Sequence, residues 1–229
     1  MQRDERVTAY AARHRLDAIF SEAEIDRMQL HTYARGETVC SAGERLDRLY
    51  LLVRGKIKVY TTLPNGKSVL LRFNEPLAVI GDVELLTGYP VQCMVESVGE
   101  SVFLVVKQED LRETALKSPH FLTFIIRLLS HKLYTASNAS SLNLLYPVEN
   151  RFASYLISIS PPETGASAQA ELKTGKLTEV AEMLGTSYRH LNRVIARLAK
   201  DGIVERKRGA VLILDPVRLQ ELASGNLYS

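Results

Sequence analysis

The sequence predicts an α+β chain: an antiparallel roll of short strands, one long helix and a C-terminal winged helix-turn-helix. Three observations carry this. Between Tyr33 and Lys107, strand-sized apolar runs alternate with turn signals. From Pro119 to Leu145, apolar residues recur at helical spacing, a helix of about 40 Å at 1.5 Å per residue. Further on, two short helical patterns are joined by Gly185-Thr186-Ser187 and followed by a segment dense in arginine.

The chain has 229 residues, 46% hydrophobic and 24% charged, enough for one large or two modest domains with real cores. Its only two cysteines, Cys40 and Cys93, exclude a disulfide framework and any four-cysteine zinc or iron–sulfur site supplied by this chain alone. The longest apolar stretches, such as 49–53 and 102–106, are strand-sized, so no membrane span is expected. The first thirty residues are charged and lack a signal peptide's apolar core, so a soluble cytoplasmic protein is expected.

The stretch up to about Leu30 reads helical, with Leu16, Ile19, Phe20, Ile25 and Met28 at mostly three- to five-residue spacing. The roll follows, as eight or so short strands. Residues 49–53 precede Arg54-Gly55, and residues 57–61 and 69–73 flank Pro64-Asn65-Gly66. Asn65-Gly66 is a hairpin signal, because both residues tolerate positive φ. Residues 108–116 read as a short helix, and Ser118-Pro119 opens the long one. Leu122, Ile126, Leu129, Leu133 and Ala136 follow 4-3-4-3 spacing, the pattern of a coiled-coil seam, while Phe121, Phe124, Ile125 and Leu128 form a second apolar flank. Two flanks on one helix suit the roll on one side and a second copy of the chain on the other. The organisation expected is therefore N-terminal helices and a roll over residues 1–117, a dimerisation helix over 118–146 and a winged helix-turn-helix domain over 147–229.

Within the C-terminal domain, residues 148–160 read as a helix and 161–170 as a loop. Residues 177–184 form a short helix with Thr178 as its N-cap, and 188–200 a second with Leu191, Val194, Ile195 and Leu198 inward. Residues 202–214 read as a two-stranded wing around Arg208-Gly209, and Asp215-Pro216 caps a last helix through Ala223.

Formal charge is +3 overall, but residues 186–208 hold seven basic residues against Asp201 and Glu205, a net of +5. A helix with an apolar stripe inward and Arg189 and Arg193 four apart on the other side can present long donors to base edges. Arg206, Lys207 and Arg208 in the wing are placed for phosphate. A solvated basic helix on an ordinary helical domain is the bland alternative, and the helix, turn, helix, wing order argues against it.

This order resembles the CRP/FNR family of bacterial transcription regulators over residues 16–223. Gly55-Lys56-Ile57-Lys58-Val59 followed by Gly66 is similar to the family's glycine-punctuated roll strands. Ile80-Gly81-Asp82-Val83-Glu84-Leu85-Leu86 resembles its phosphate-binding cassette. Residues 179–193, Glu-Val-Ala-Glu-Met-Leu-Gly-Thr-Ser-Tyr-Arg-His-Leu-Asn-Arg, resemble its helix-turn-helix, and the run from Ser187 to Leu191 is most like the YeiL-type subgroup. The resemblance implies a cyclic-nucleotide-binding-like roll and base contacts from the start of the second helix, at Ser187, Tyr188, Arg189, Asn192 and Arg193. Arg193 matches an arginine that reads guanine. Arg189 departs from the family's frequent glutamate, and an arginine cannot accept from cytosine, so a different half-site is expected.

In the cassette the resemblance implies backbone N–H groups at Gly81, a carboxylate at Asp82 (one methylene shorter than the usual glutamate) and a phosphate cation. That cation's place falls on Val91, with Gln92 beside it, so a cation is missing and cyclic AMP is not the expected effector. Ser137 and Asn138, where relatives contact the base, keep polar capacity for another small molecule. Cys40 and Cys93 are either buried thiols or a redox-switched disulfide. The five histidines show no zinc spacing, and no N-terminal cysteine cluster supports an iron–sulfur sensor. No GxSxG, P-loop, HExxH or dinucleotide fingerprint is present, so no enzyme is expected. The cofactor is unknown. The expected partners are palindromic double-stranded DNA, a second copy, RNA polymerase if the regulator activates, and no membrane. The competing expectation is a sensor module acting on a protein partner.

Overall fold

The computed structural model describes residues 4–160, 171–173, 177–208, 210–223 and 228, with only the backbone described over 138–144 and 171–173. Two compact units emerge, one of residues 1–59 and 74–134, the other of residues 60–73 and 135–229.

The first unit opens with α1 (Glu5–Arg13), capped by the Asp4 carboxylate accepting from the Arg6 N–H. The helical reading up to Leu30 breaks here: Arg15 takes φ +53°, a single 3₁₀ turn covers Leu16–Ala18, and α2 restarts at Glu22–Ile25 behind a Ser21–Glu24 capping box. The strands begin earlier than expected, with β1 at Gln29–Tyr33, because this segment finds a long-range partner in β8 (Ser101–Lys107). The strands β2 (Thr38–Cys40), β3 (Arg48–Arg54), β4 (Ile57–Thr62), β5 (Ser68–Asn74), β6 (Val79–Ile80) and β7 (Met94–Ser97) complete the roll. They form two four-stranded sheets, ordered β1-β8-β3-β6 and β2-β7-β4-β5, of which half of β4 and nearly all of β5 are counted with the second unit. The β4–β5 hairpin turns where Asn65-Gly66 predicts it: Gly66 has φ +78°, and the Asn65 side chain accepts from the Lys67 N–H at 3.0 Å.

The core of this unit takes alternate residues of the central strands, Leu49, Leu51 and Val53 from β3 and Val102, Leu104 and Val106 from β8. Leu16 and Phe20 close it from the N-terminal side. Each of these buried side chains contributes about 1.5–3 kcal/mol. The short α3 (Asp82–Thr87) follows Gly81. The helix expected at 108–116 stops early: α4 is Gln108–Arg112, and a 3₁₀ turn covers Ala115–Lys117. Thr114 interrupts it, its hydroxyl bonding Glu24 and the Asp110 carbonyl. Then α5 runs Pro119–Leu145, as its periodicity predicts, with Phe121 and Ile125 buried in the core and Phe124 and Leu128 packed at its edge.

In the second unit, α6 (Val148–Ile159) buries Phe152, Ala153 and Leu156. The strand β9 (Glu171–Lys173), α7 (Leu177–Met183), α8 (Tyr188–Lys200), β10 (Val204–Lys207), β11 (Ala210–Ile213) and α9 (Pro216–Leu222) follow. Two expectations are corrected. Thr178 lies inside α7, which begins at the buried Leu177, so it is no N-cap. The wing sheet has three strands, in the order β10-β11-β9, because Glu171–Lys173 pairs with β11. The loop expected at 161–170 and Gly209 lie outside the described residues.

Candidate functional site

In the second unit α8 has one apolar and one basic face. Leu191, Val194, Ile195 and Leu198 are buried, and Arg189 and Arg193 are exposed on the remaining face. The turn before it uses Gly185 at φ +63°, where a side chain would be strained. Ser187 caps the helix, its hydroxyl accepting from the His190 N–H at 3.2 Å. Arg151, buried on α6, donates to the Leu184 carbonyl and so steadies the end of α7. Tyr188 is 49% exposed at the first turn of α8.

Asn192 behaves differently from the two arginines beside it. It is half-buried, its amide N–H donates to the Tyr188 carbonyl at 3.0 Å, and its Oδ1 is buried with no hydrogen-bond partner among the described residues. The +5 segment also divides. Arg197 is held by Glu149 through a two-point contact, and the Lys207 ammonium lies 3.2 Å from Glu205. Arg206 and Arg208 are exposed at the wing. Arg189, Arg193, Lys200, Arg206 and Arg208 are therefore the cations of this segment most open to an anionic partner.

In the first unit, β6 leads into the cassette. Gly81 has φ +94°, and a Cβ there would sit 2.5 Å from the Arg48 carbonyl oxygen, so only glycine fits. Gln108 donates to the Gly81 carbonyl at 3.2 Å. Asp82 opens α3 and is 1% exposed. Its two oxygens accept from the Lys132 ammonium at 2.6 and 2.7 Å, and that ammonium also donates to the Val79 carbonyl at 2.8 Å. Burial pushes the Glu84 carboxyl above its ordinary range, and the nearby Asp82 charge adds to the effect.

Val91 is buried, its backbone bonded to Gly43 and Glu44, and Gln92 is exposed, donating to the Pro90 carbonyl. Neither brings a charge. Lys132 is the residue that sequence reasoning missed. Its signal is positional: Phe121, Ile125, Leu128 and Lys132 continue one 4-3-4 flank, and a lysine there needs a buried anion. Ser137 is exposed, and the side chain of Asn138 lies outside the described residues.

Along α5 the seam residues divide in the same way. Leu122, Leu129 and Ala136 are half-buried, whereas Ile126 and Leu133 are 63% and 71% exposed. Cys40 is buried and Cys93 half-buried, and no disulfide joins them. Burial, then the charges of Glu84 and Glu44, pushes the Cys40 thiol up to about 12. Among the described residues no group of three or more histidine, cysteine or acidic side chains could hold a metal ion, and no helix is long and apolar enough to cross a membrane.

Comparison with known proteins finds a match for each of two stretches of the chain. Residues 30–118 match the cyclic nucleotide-binding domain model, and residues 150–222 match the Crp-like helix-turn-helix domain model. The regulatory protein YeiL of Escherichia coli O157:H7 is 29% identical over 207 residues, 90% of each chain. The CRP-like cAMP-activated global transcriptional regulator of Mycobacterium tuberculosis is 26% identical over 199 residues, 86% of this chain and 89% of that one. Among solved structures, a CRP-family regulator of Thermus thermophilus shares the fold at a TM-score of 0.71, with 21% identity over 87% of this chain and 98% of its own. With a roll of the first kind and a reader of the second in this order, the chain belongs to the CRP/FNR family of transcriptional regulators.

Proposed function

We propose that the chain is a homodimeric, sequence-specific DNA-binding regulator divided into a sensor over 1–117, a dimerisation helix over 118–146 and a reader over 147–229, acting in the cytoplasm. One observation carries the proposal: α8 buries its apolar stripe, is capped by Ser187, and leaves Arg189 and Arg193 exposed four residues apart. Arg193 is assigned to guanine, bidentate through O6 and N7, and Arg189 to a second acceptor edge; Arg206 and Arg208 meet phosphate, with Lys207 held beside Glu205. The exposed Ile126 and Leu133 support a two-fold pairing through α5, which places two recognition helices on half-sites about 34 Å apart. The signal entering the roll is an effector other than cyclic AMP, because the cassette offers Val91 and Gln92 where a phosphate cation is required. Contact with RNA polymerase follows if the regulator activates.

Selection from random DNA with the purified chain tests this. A two-fold symmetric site should emerge, and Arg193→Ala should lose about 1–3 kcal/mol on it with relaxed preference at one base pair per half-site. Selection of no site, or equal losses on selected and scrambled DNA, overturns the proposal.

A further inference from the structure

Lys132 and Asp82 are far apart in sequence, on α5 and at the start of α3, yet they form a buried ion pair. Asp82 is 1% exposed, and the described bonds of the Lys132 ammonium go to both Asp82 oxygens and to the Val79 carbonyl at the end of the cassette strand. An ammonium has three donors, so these contacts commit it. Lys132 also lies next to Leu133 on the stretch of α5 that carries the exposed apolar seam. Fixing Lys132 against the cassette therefore fixes which face of this stretch turns outward. The surroundings favour nothing more negative, because Glu84 lies within reach of the Asp82 charge.

We infer that the Asp82–Lys132 ion pair is a built-in latch: it fastens α5 to the cassette from within the chain, and it commits the cation that an anionic ligand would need. The roll then holds its seam in place without a nucleotide. A phosphate entering the cassette must first displace Asp82 from Lys132, leaving a buried carboxylate without its counter-charge, which is strongly disfavoured. This rests on the proposed regulator only for its consequence at DNA; the latch itself is a property of the first unit.

Native-state hydrogen exchange on the full chain reads it directly. In Lys132→Met and in Asp82→Asn, the amides of residues 126–134 are expected to exchange at least tenfold faster than in the unaltered chain, while β3 and β8 keep their protection. The double variant Asp82→Asn/Lys132→Met, which leaves no unpaired charge, is expected to lose no more than the worse single variant. Unchanged protection along 126–134 overturns the latch. So does an equal loss through strands and helix, the mark of a pair that only stabilises the roll. Calorimetric titration with cyclic AMP and cyclic GMP as probes is expected to give no binding to the unaltered chain, and binding there overturns the exclusion of anions. If the unaltered chain fails to select DNA, the proposed function falls while the exchange result still decides the latch.

Discussion

The salt dependence of DNA binding separates the cations of residues 186–208 by the company they keep. Arg206 is exposed at the wing, whereas Arg197 is engaged by Glu149 on α6. Each phosphate neutralised contributes about 0.9 to the slope of log K against log salt, and a two-fold dimer doubles every contact. Arg206→Ala should therefore reduce the slope by about 1.8. Between about 50 and 200 mM salt, where log salt changes by about 0.6, the unaltered chain should then lose about twelve-fold more affinity than the variant. Arg197→Ala removes a cation already paired, so its slope should stay within about half a unit of the original while stability falls through the stranded, half-buried Glu149. Fluorescence anisotropy on a labelled duplex carrying the selected site, repeated across this salt range, gives both slopes. An Arg197→Ala slope reduced as much as that of Arg206→Ala would refute the reasoning, since Glu149 would then not be holding that guanidinium away from phosphate.

Leu133→Asp places a charge on a side chain 71% exposed in the single chain, so it should abolish self-association with little change in the thermal midpoint of the chain's folding; sedimentation equilibrium beside a melting curve checks both. With its thiol buried and pushed up to about 12, Cys40 should resist maleimide until denaturant is added, and intact mass should show one fast-reacting cysteine at most. Glu84→Gln should stabilise the chain at pH 7. The raised carboxyl binds its proton more readily folded than unfolded, so its ionised form opposes folding above the folded value, and this cost disappears as pH falls below the unfolded value of about 4.5. Urea midpoints at pH 7 and pH 4 should therefore differ between variant and parent only at the higher pH.

What could be read from the sequence is what local chemistry decides. The ends of α5 and α8 follow from Ser118-Pro119, from a seam repeated over several turns, and from Ser187 ahead of an apolar stripe. The β4–β5 turn follows from Asn65-Gly66. What could not be read depends on partners distant in the chain. Gln29–Tyr33 becomes a strand because β8 lies beside it, and Glu171–Lys173 because β11 does. Neither segment carries a strong pattern of its own, and strand formation is governed by neighbours more than by intrinsic preference. Thr178 shows the converse: its cap chemistry is sound, yet burial of Leu177 carries the helix one residue further back.

The same limit governs charge, and there it bears on function. Lysine and arginine look alike in a count, but a nearby carboxylate changes what each can do. Lys132 meets Asp82 in a buried setting and becomes part of the roll's interior. Arg197 and Lys207 meet Glu149 and Glu205 and are partly withdrawn from any outside anion. Arg189, Arg193, Lys200, Arg206 and Arg208 are exposed without such a carboxylate among the described residues, and they are spread over α8 and the wing. Phosphate attraction scales with cations that can give up their counter-ions, not with their total number. Pairing thus thins a diffuse basic segment to the cations left open along α8 and at the wing. A charge count alone does not separate the paired cations from the open ones.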